Sequence, residues 1–308
     1  MTDKAIPGLH HVTAISGPPQ ANVDFFTGVL DQRLVKRTVN FDDPGTYHLY
    51  YGDHEGSPGT ILTFFPFVGA GRGSAGAGMA SAYSYAVPKG RFDDWIHRLD
   101  DLDFAHEAPA ERFGARVLTL HDPDGAPVEL IETDRAGDGT MLDGFHSVTL
   151  WLRDIGPTAK LLTEVMGYEE AGHETVDGTE RLRLRAPGDA RGAIVELMRR
   201  EGAGIGRQGA GSIHHVAFRA ESDAVQLDWR ERLLRAGMQV TPVIDRQYFN
   251  AIYFREPGGV LFEIATDPPG FAADEPVETL GRDLKLPPQY EAYRARIEQV
   301  LPPLKVPA

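Results

Sequence analysis

The sequence predicts an α+β fold of four βαβββ modules, which form two incomplete β-barrels with helices outside them, followed by a C-terminal helix. Three observations support this prediction. The order of strand, helix and three strands in residues 8–67 recurs in residues 211–267. Two weaker copies lie between these. The second and fourth copies also share a turn of one kind, DPDG at 122–125 and EPGG at 256–259.

The first and fourth copies show the pattern most clearly, because apolar runs indicate strands and apolar residues at helical spacing indicate one helix in each. In the first copy the expected strands are 9–15, 32–40, 46–51 and 60–67, and the helix is 19–29. In the fourth copy the expected strands are 214–219, 241–245, 249–256 and 260–266, and the helix is 223–236.

The middle copies are less complete. In the second, strands are expected at 81–87, 116–121 and 127–132, with a helix around 92–99. In the third, strands are expected at 144–152, 180–185 and 193–199, with a helix at 157–165. After the fourth copy, residues 284–300 are expected to form a helix packed by Tyr290, Tyr293, Ile297 and Val300.

These repeats define the expected domain organisation. The modules are placed at 1–68, 79–135, 143–200 and 211–267, with a tail at 268–308. The glycine-rich stretch 69–78 is interpreted as a flexible linker from its composition, and a similar break occurs at 201–206. The Gly-x-Gly spacings here follow no strand–helix unit of the dinucleotide-binding type, so that fold is not indicated.

Composition limits the class of protein. With 308 residues and 42% apolar residues, the chain can bury a sizeable core. A formal net charge of −14 argues against nonspecific binding to nucleic acid or anionic membranes. No apolar run has the length of a membrane span, and no secretory signal is evident, so a cytoplasmic enzyme with a small ligand is expected. The absence of cysteine excludes disulfides, thiolate metal sites and a cysteine nucleophile.

Two of the predicted strands begin with adjacent histidines, in GLHHVTAI at 8–15 and GSIHHVAFR at 211–219. Successive strand residues face opposite sides, so one histidine of each pair is expected to point inwards. A single histidine at a strand start is more often structural or exposed than a ligand. Pairs at equivalent points of two repeats favour ligands, namely His11 and His215. The matching residue is Ser147 in the third module, with nothing comparable near Ala82 in the second.

A carboxylate completes the candidate site. Glu263 lies within the apolar segment VLFEI at 260–264, where an unpaired carboxylate would be costly. We therefore predict that His11, His215 and Glu263 bind one metal ion, which requires modules one and four to share a barrel. Two imidazoles and one carboxylate are typical of non-haem Fe(II) enzymes, and zinc also accepts these ligands.

Other titratable residues are interpreted as structural. Glu129 and Glu196 occupy the place of Glu263 in modules two and three, and Thr63 does so in module one. Lacking histidine partners, the two carboxylates are either relics of the repeat or partners of buried arginines. Several histidines have no informative spacing and are interpreted as surface or core residues: His48, His54, His97, His106, His121 and His173.

The modules and the triad together resemble the vicinal oxygen chelate superfamily, which includes glyoxalase I and extradiol dioxygenases. More narrowly, GLHHVTAI at 8–15, IHHVA at 213–217 and LKLPP at 284–288 are similar to the hydroquinone ring-cleaving dioxygenases. The resemblance implies Fe(II), sometimes replaceable by Mn(II), held by histidines of the first and last modules; Zn(II) could enter recombinant protein. Catechol-cleaving relatives take both histidines from modules three and four, and Ser147 argues against that arrangement.

The resemblance also implies a substrate pocket and a reaction, an extradiol-type opening of a hydroquinone or related dihydroxy-aromatic by O2. Catalytic roles are implied for His214, Tyr253, Arg246 and His10. Substrate-binding roles are implied for Thr13, His10, Arg246 and Tyr253.

Two other functions stay open at this point. A glyoxalase-like metal-dependent isomerase or lyase would usually need a second carboxylate ligand where Thr63 stands. A non-catalytic aromatic-binding protein of the same fold would not need the complete triad of His11, His215 and Glu263. The expected partners are a small aromatic substrate and O2, with no nucleic acid and no membrane, and a homo-oligomer is left open.

Overall fold

The computed structural model describes residues 5–137 and 139–307. The predicted first module and tail therefore include residues 1–4 and 308, which lie outside the described residues. Sixteen strands are described: β1 Leu9–Ser16, β2 Arg33–Val39, β3 Tyr47–Gly52, β4 Ile61–Pro66, β5 Met79–Val87, β6 Ala110–Arg112, β7 Ala115–His121, β8 Pro127–Glu132, β9 Phe145–Trp151, β10 Glu169–Val176, β11 Thr179–Arg185, β12 Ile194–Arg200, β13 Ser212–Ala220, β14 Ile244–Asp245, β15 Phe249–Arg255 and β16 Leu261–Pro269.

The strands form two eight-stranded sheets with corresponding orders. One follows β14-β15-β16-β13-β1-β4-β3-β2, and the other follows β10-β11-β12-β9-β5-β8-β7-β6. We call the first the terminal half, because it combines the two ends of the chain, and the second the central half. The α+β class with two incomplete barrels is confirmed, and modules one and four share one sheet. The exact module boundaries stay a prediction.

Six short α-helices are described beside the sheets, and two of them pack through buried tryptophans. They are α1 Pro19–Val23, α2 Phe92–Asp101, α3 Gly156–Lys160, α4 Asp223–Arg235, α5 Pro288–Glu291 and α6 Arg294–Val300. Trp95 of α2 and Trp229 of α4 are almost completely buried. Burial of one such side chain contributes roughly 1.5–3 kcal/mol, which holds each helix against its sheet. Within the described residues, none of the helices combines the length and apolar character needed to cross a membrane.

The two predicted helices of modules one and three change geometry part-way. α1 continues as a π-helical segment, Asp24–Val29, and α3 continues as another, Leu161–Val165. The sequence does not predict β6 or β10, and the predicted strand 241–245 is reduced to β14. β10 is mostly exposed, so it lacks the apolar alternation that identifies a half-buried strand.

The predicted tail helix at 284–300 is wrong in its extent. The helical residues begin at Pro288 and form α5 and α6 rather than one helix. Ile297 is buried as expected, but Tyr293 and Val300 are each 59% exposed. The break between α5 and α6 separates the apolar residues that a single helix would have placed on one face.

The glycine-rich stretch 69–78 is also not a free linker. It pairs with the second glycine-rich segment, since Ser74 and Arg207 exchange two backbone hydrogen bonds of 2.9 Å. The close approach requires glycine: a Cβ on Gly76 would lie 2.6 Å from the backbone nitrogen of Gly206. These glycines therefore join the connection between modules one and two to the connection between modules three and four.

Candidate metal centre

Three side chains from three neighbouring strands converge inside the terminal half. His11 on β1 and Glu263 on β16 lie in register across the sheet, because both pair with Ala217 on the intervening strand β13. His215 on β13 lies opposite Thr13 of β1. The His11 and His215 Nε2 atoms are 3.4 Å apart, and Glu263 Oε2 lies 3.4 Å from the first and 2.9 Å from the second.

These three residues could hold one metal ion. For a metal about 2.1 Å from each ligand atom, ligand pairs would lie about 3.0 Å apart at right angles and about 3.4 Å apart in a tetrahedron. Both oxygens of Glu263 are fully buried and neither has a partner in hydrogen-bonding geometry. His215 Nε2 approaches Glu263 Oε2 at 2.9 Å but outside hydrogen-bonding geometry. A buried, unbonded carboxylate facing two imidazoles fits a cation.

The electrostatics agree with this arrangement. Burial alone would raise the pKa of the Glu263 carboxyl, but His11 and His215 outweigh it and hold that pKa below its usual range. Burial lowers the pKa of His215, partly against the effect of Glu263. The resting site therefore presents an ionised carboxylate beside a neutral imidazole, which are the forms that metals bind.

Each His-His pair lies at a β-bulge. The pairing of β1 with β13 has an extra residue at His10 and another at His214. A bulge turns a side chain away from strict alternation. His10 and His11 consequently approach through their Nδ1 atoms at 3.0 Å, and His214 and His215 do so at 2.7 Å. Each candidate ligand is thus contacted by the preceding histidine, although simple alternation predicts opposite faces.

The triad opens into a cavity of about 350 Å³. Its wall is largely aromatic or apolar, with polar groups near the triad and at the mouth. The lining residues not yet mentioned include Ile15, Asn40, Phe41, Asp42, Phe65, Phe67, Phe249 and Leu261. A volume that exceeds the roughly 150 Å³ of a cavity known to hold benzene leaves room for a substituted ring.

Most of the residues implied for the substrate pocket lie at this cavity. Thr13, His214, Arg246 and Tyr253 line it. Tyr253 is paired directly with Glu263 across β15 and β16, as expected from the shared turn. Arg246 Nε donates to the Tyr253 hydroxyl at 3.2 Å, and its guanidinium approaches Asp42 at 3.4 Å near the mouth.

His10 lies differently. Among the described residues that line the cavity, His10 does not appear. Its ring is 2% exposed and packs against Phe249, with ring centroids 5.3 Å apart. Burial, with a smaller effect of His11, lowers the pKa of His10 to about 3. Its side chain thus supports the candidate ligand His11 from behind.

His48 and Tyr50 were missed as cavity residues. Both line the cavity from β3, and the Tyr50 hydroxyl lies 2.8 Å from His48 Nδ1. Period-two alternation along β3 places residues 48 and 50 on one face, so the signal existed in the sequence. This alternation alone did not identify His48 and Tyr50 as cavity residues, because nothing in the sequence shows that β3 faces the triad.

The carboxylates of the central half have arginine partners. Arg112 makes a bidentate pair with Glu129, at 2.8 and 2.6 Å. Glu196 is fully buried and is approached by Arg183 at 2.7 Å and Arg181 at 3.3 Å. Of the two interpretations left open, pairing with buried arginines is the one found.

Comparison with known proteins follows the same division of the chain. The family model described as the Glyoxalase/Bleomycin resistance protein/Dioxygenase superfamily matches residues 8–130 and 144–264. MhqO of Bacillus subtilis (strain 168), provisionally named a ring-cleaving dioxygenase, is 47% identical over 98% of each chain. A chlorohydroquinone/hydroquinone 1,2-dioxygenase of Sphingobium indicum is 35% identical over 94% of each chain.

Solved structures show the same similarity. A crystal structure of a Bacillus subtilis protein, provisionally described as a dioxygenase, matches with a TM-score of 0.91 and 47% identity over 99% of each chain. Glyoxalase I from Zea mays shares the fold at 15% identity, with a TM-score of 0.63 over 84% of this chain and 92% of that one. Sequence and fold agree: the chain belongs to the Glyoxalase/Bleomycin resistance protein/Dioxygenase superfamily.

Proposed function

We propose that this protein is a ring-cleaving dioxygenase that uses Fe(II) at His11, His215 and Glu263 to open a hydroquinone, plain or substituted, with O2. The observation that carries the proposal is the buried carboxylate of Glu263, whose two oxygens lack hydrogen-bond partners and face two imidazoles at the floor of an aromatic-lined cavity. The names of the similar dioxygenases support the choice of reaction and substrate class.

The ligand set supports Fe(II), with Mn(II) as a functional substitute and Zn(II) as an occupant of recombinant material. When bound, Fe(II) supplies open positions for a substrate hydroxyl and for O2 and makes that hydroxyl more acidic. Three ligands from three paired strands hold such a site rigidly.

The neighbouring histidines then acquire defined tautomers. If His215 binds the metal through Nε2, its Nδ1 carries the proton and donates to His214 Nδ1 at 2.7 Å. A neutral His214 then keeps its remaining proton on Nε2 and can donate a hydrogen bond through it to a substrate oxygen. His10 receives the corresponding hydrogen bond from His11 at 3.0 Å and fixes the orientation of that ring.

Tyr253 and Arg246 form the second polar group at the floor. Burial, and then Glu263, raise the pKa of Tyr253, so its hydroxyl stays protonated at neutral pH. Arg246 donates to the oxygen of that hydroxyl, so the Tyr253 hydrogen is directed at a neighbouring acceptor, either Glu263 or a substrate oxygen. The permanent charge of Arg246 favours a substrate bound as its phenolate.

The isomerase alternative fits less well. Its usual second carboxylate would stand at residue 63, where the Thr63 hydroxyl is already bonded to His48 at 2.8 Å and Thr13 at 3.1 Å. A binding protein without metal would have no need of a buried carboxylate at Glu263 that faces two imidazoles and lacks a hydrogen-bond partner. An acidic, cysteine-free chain acting on small diffusible substrates fits a cytoplasmic enzyme.

Anaerobic loading with Fe(II), followed by oxygen-uptake measurements over a panel of hydroquinones and catechols, tests the proposal. We expect oxygen uptake with hydroquinones, together with an absorbance change from loss of the aromatic ring. Oxygen uptake with catechols alone would contradict the substrate class, and no uptake with any diol would contradict the reaction.

The His215→Ala variant tests the ligand role directly. We expect its iron affinity to fall by more than about 100-fold, since loss of supporting groups alone costs 10–100-fold in metal sites. His146→Ala is the matched control, because His146 lies at a bulge in the central half and should leave iron content unchanged. Unchanged iron content in His215→Ala would exclude His215 as a ligand.

A further inference from the structure

A chain of four hydrogen-bonding side chains crosses the cavity wall from β3 to β1. The Tyr50 hydroxyl lies 2.8 Å from His48 Nδ1, and His48 Nε2 lies 2.8 Å from Thr63 Oγ1. The Thr63 hydroxyl in turn donates to Thr13 Oγ1 at 3.1 Å. Tyr50, His48 and Thr13 line the cavity, so both ends of the chain reach the space that a substrate would occupy.

The donor and acceptor in each of these hydrogen bonds follow from the number of protons available. Thr63 has one hydroxyl hydrogen, which it gives to Thr13, so at Thr63 the histidine must be the donor. A neutral His48 that donates through Nε2 has a bare Nδ1, and that atom accepts from the Tyr50 hydroxyl. Burial lowers the pKa of His48 well below its usual value, which agrees with a neutral ring.

This order of donors and acceptors fixes how the Tyr50 hydroxyl can hydrogen-bond to a ligand in the cavity. Its hydroxyl hydrogen is committed to His48, so towards the cavity the oxygen can act only as a hydrogen-bond acceptor. The surroundings are aromatic: the ring of Phe65, which lines the cavity, is 4.3 Å from that of His48, and the buried Phe271 ring is 5.0 Å from that of Tyr50. An acceptor in such surroundings favours a ligand group that donates.

Tyr50 also stands away from the strands that carry the triad. β3 is separated from β1 by β4, and adjacent strands lie about 5 Å apart, so β3 is about 10 Å from β1 across the sheet. The triad comes from β1, β13 and β16, on the other side of β4. A ring placed with one hydroxyl at the triad can therefore direct a hydroxyl at its opposite end towards β3.

We infer that Tyr50 accepts a hydrogen bond from the second, para hydroxyl of the hydroquinone, and that His48 is the positioning residue that fixes the Tyr50 hydroxyl as an acceptor. The inference rests on the proposed function and adds to it a specificity-determining contact. It explains how a para-diol would be distinguished from a phenol that carries a non-donating group at the same position.

Calorimetric binding to Zn(II)-loaded protein under anaerobic conditions tests this without turnover, with hydroquinone and 4-methoxyphenol as the two probes. The methoxy oxygen can accept a hydrogen bond but cannot donate one. The wild type should therefore prefer hydroquinone by about tenfold, the value of one ordinary hydrogen bond. A Tyr50 that donated into the cavity would instead bind both compounds with similar affinity.

Two variants and one control complete the test. Tyr50→Phe should abolish the preference, and His48→Leu should reduce it to about twofold because the Tyr50 hydroxyl becomes free to rotate. Tyr47→Phe is the matched control, since the Tyr47 hydroxyl lies on the same strand but donates to the backbone oxygen of Pro302. The Tyr47→Phe variant should keep a preference of about tenfold for hydroquinone over 4-methoxyphenol.

Equal affinities in the wild type, or a tenfold preference that survives in Tyr50→Phe, would overturn the inference. If oxygen uptake with hydroquinone is normal in either case, the proposed function stands without this contact. If hydroquinone neither binds nor supports oxygen uptake, the proposed function fails and the inference fails with it.

Discussion

The terminal and central halves share one sheet order but differ at the centre. Where the terminal half has His11, His215 and Glu263, the central half has Ala82, Ser147 and Glu196 at the corresponding places of the two sheets. The bulges correspond as well: His10 and His214 match Ser81 and His146. The backbone scaffold for a metal site is therefore present twice, and the side chains complete it once.

The carboxylates show what the difference means chemically. Glu263 is left without a hydrogen-bond partner, whereas Glu196 is paired with Arg181 and Arg183 and Glu129 with Arg112. A buried carboxylate needs a positive partner. In the central half arginine supplies that charge and stabilises the fold, and in the terminal half we propose that a metal ion supplies it and performs chemistry.

The largest expected difference between the halves concerns activity. Glu263→Ala should lower both iron content and hydroquinone-dependent oxygen uptake to below about one hundredth of the wild-type values, because a metal ligand is removed. Glu196→Gln, at the corresponding place, should leave the iron bound per folded chain unchanged. Metal analysis and oxygen uptake on both variants would check this, and loss of iron from folded Glu196→Gln would contradict it.

The next largest effect concerns stability. Glu196→Gln should lower the free energy of unfolding by about 3–5 kcal/mol, because Arg181 and Arg183 lose a buried counter-charge. Glu263→Gln should lower the stability of the metal-free protein by less than Glu196→Gln does, since Glu263 faces two histidines and loses no arginine partner. Urea unfolding of metal-free samples measures both; equal destabilisation would show that the two carboxylates play the same role.

A smaller effect is expected where the halves are joined. Gly76→Ala should lower the free energy of unfolding by about 1–3 kcal/mol, because the added methyl would lie 2.6 Å from the nitrogen of Gly206. Gly204→Ala is the control, as a Cβ there meets nothing within 4 Å. Thermal unfolding of the two variants should differ accordingly, and equal stability would mean that the paired segments can separate at little cost.

The smallest effect is a dependence on pH in the central half. Burial alone would raise the pKa of Glu129, but Arg112 and Ser84 outweigh it, so the pKa lies below its ordinary value of 4.5. A carboxyl whose folded-state pKa is lowered stabilises the fold above its unfolded-state pKa and loses that effect as the pH falls through the lowered value. Stability measured below pH 5 should therefore fall more steeply for the wild type than for Glu129→Gln; parallel curves would contradict the assignment.

Much of the terminal half could be predicted from the sequence because its signals are local and repeated. The His-His pairs, the apolar strand around Glu263 and the shared turn before β16 identify equivalent positions without coordinates. The pairing of modules one and four followed from the requirement that two histidines and a carboxylate meet.

What the sequence did not show depends on long-range packing. The bulges at His10 and His214 arise from strand pairing, so the contact of each histidine with its neighbour could not be predicted from alternation. The β3 residues His48 and Tyr50 face the cavity only because the sheet curls. The pairing of the glycine-rich stretches similarly requires two segments more than 120 residues apart to meet, as Ser74 and Arg207 do.

The most direct test of the central claim is anomalous diffraction from crystals of the protein loaded anaerobically with Fe(II). We predict one iron peak per chain, within about 2.3 Å of His11 Nε2, His215 Nε2 and a Glu263 oxygen. A peak bound elsewhere, or none despite iron in the crystal, would contradict the claim that the terminal half holds a catalytic metal.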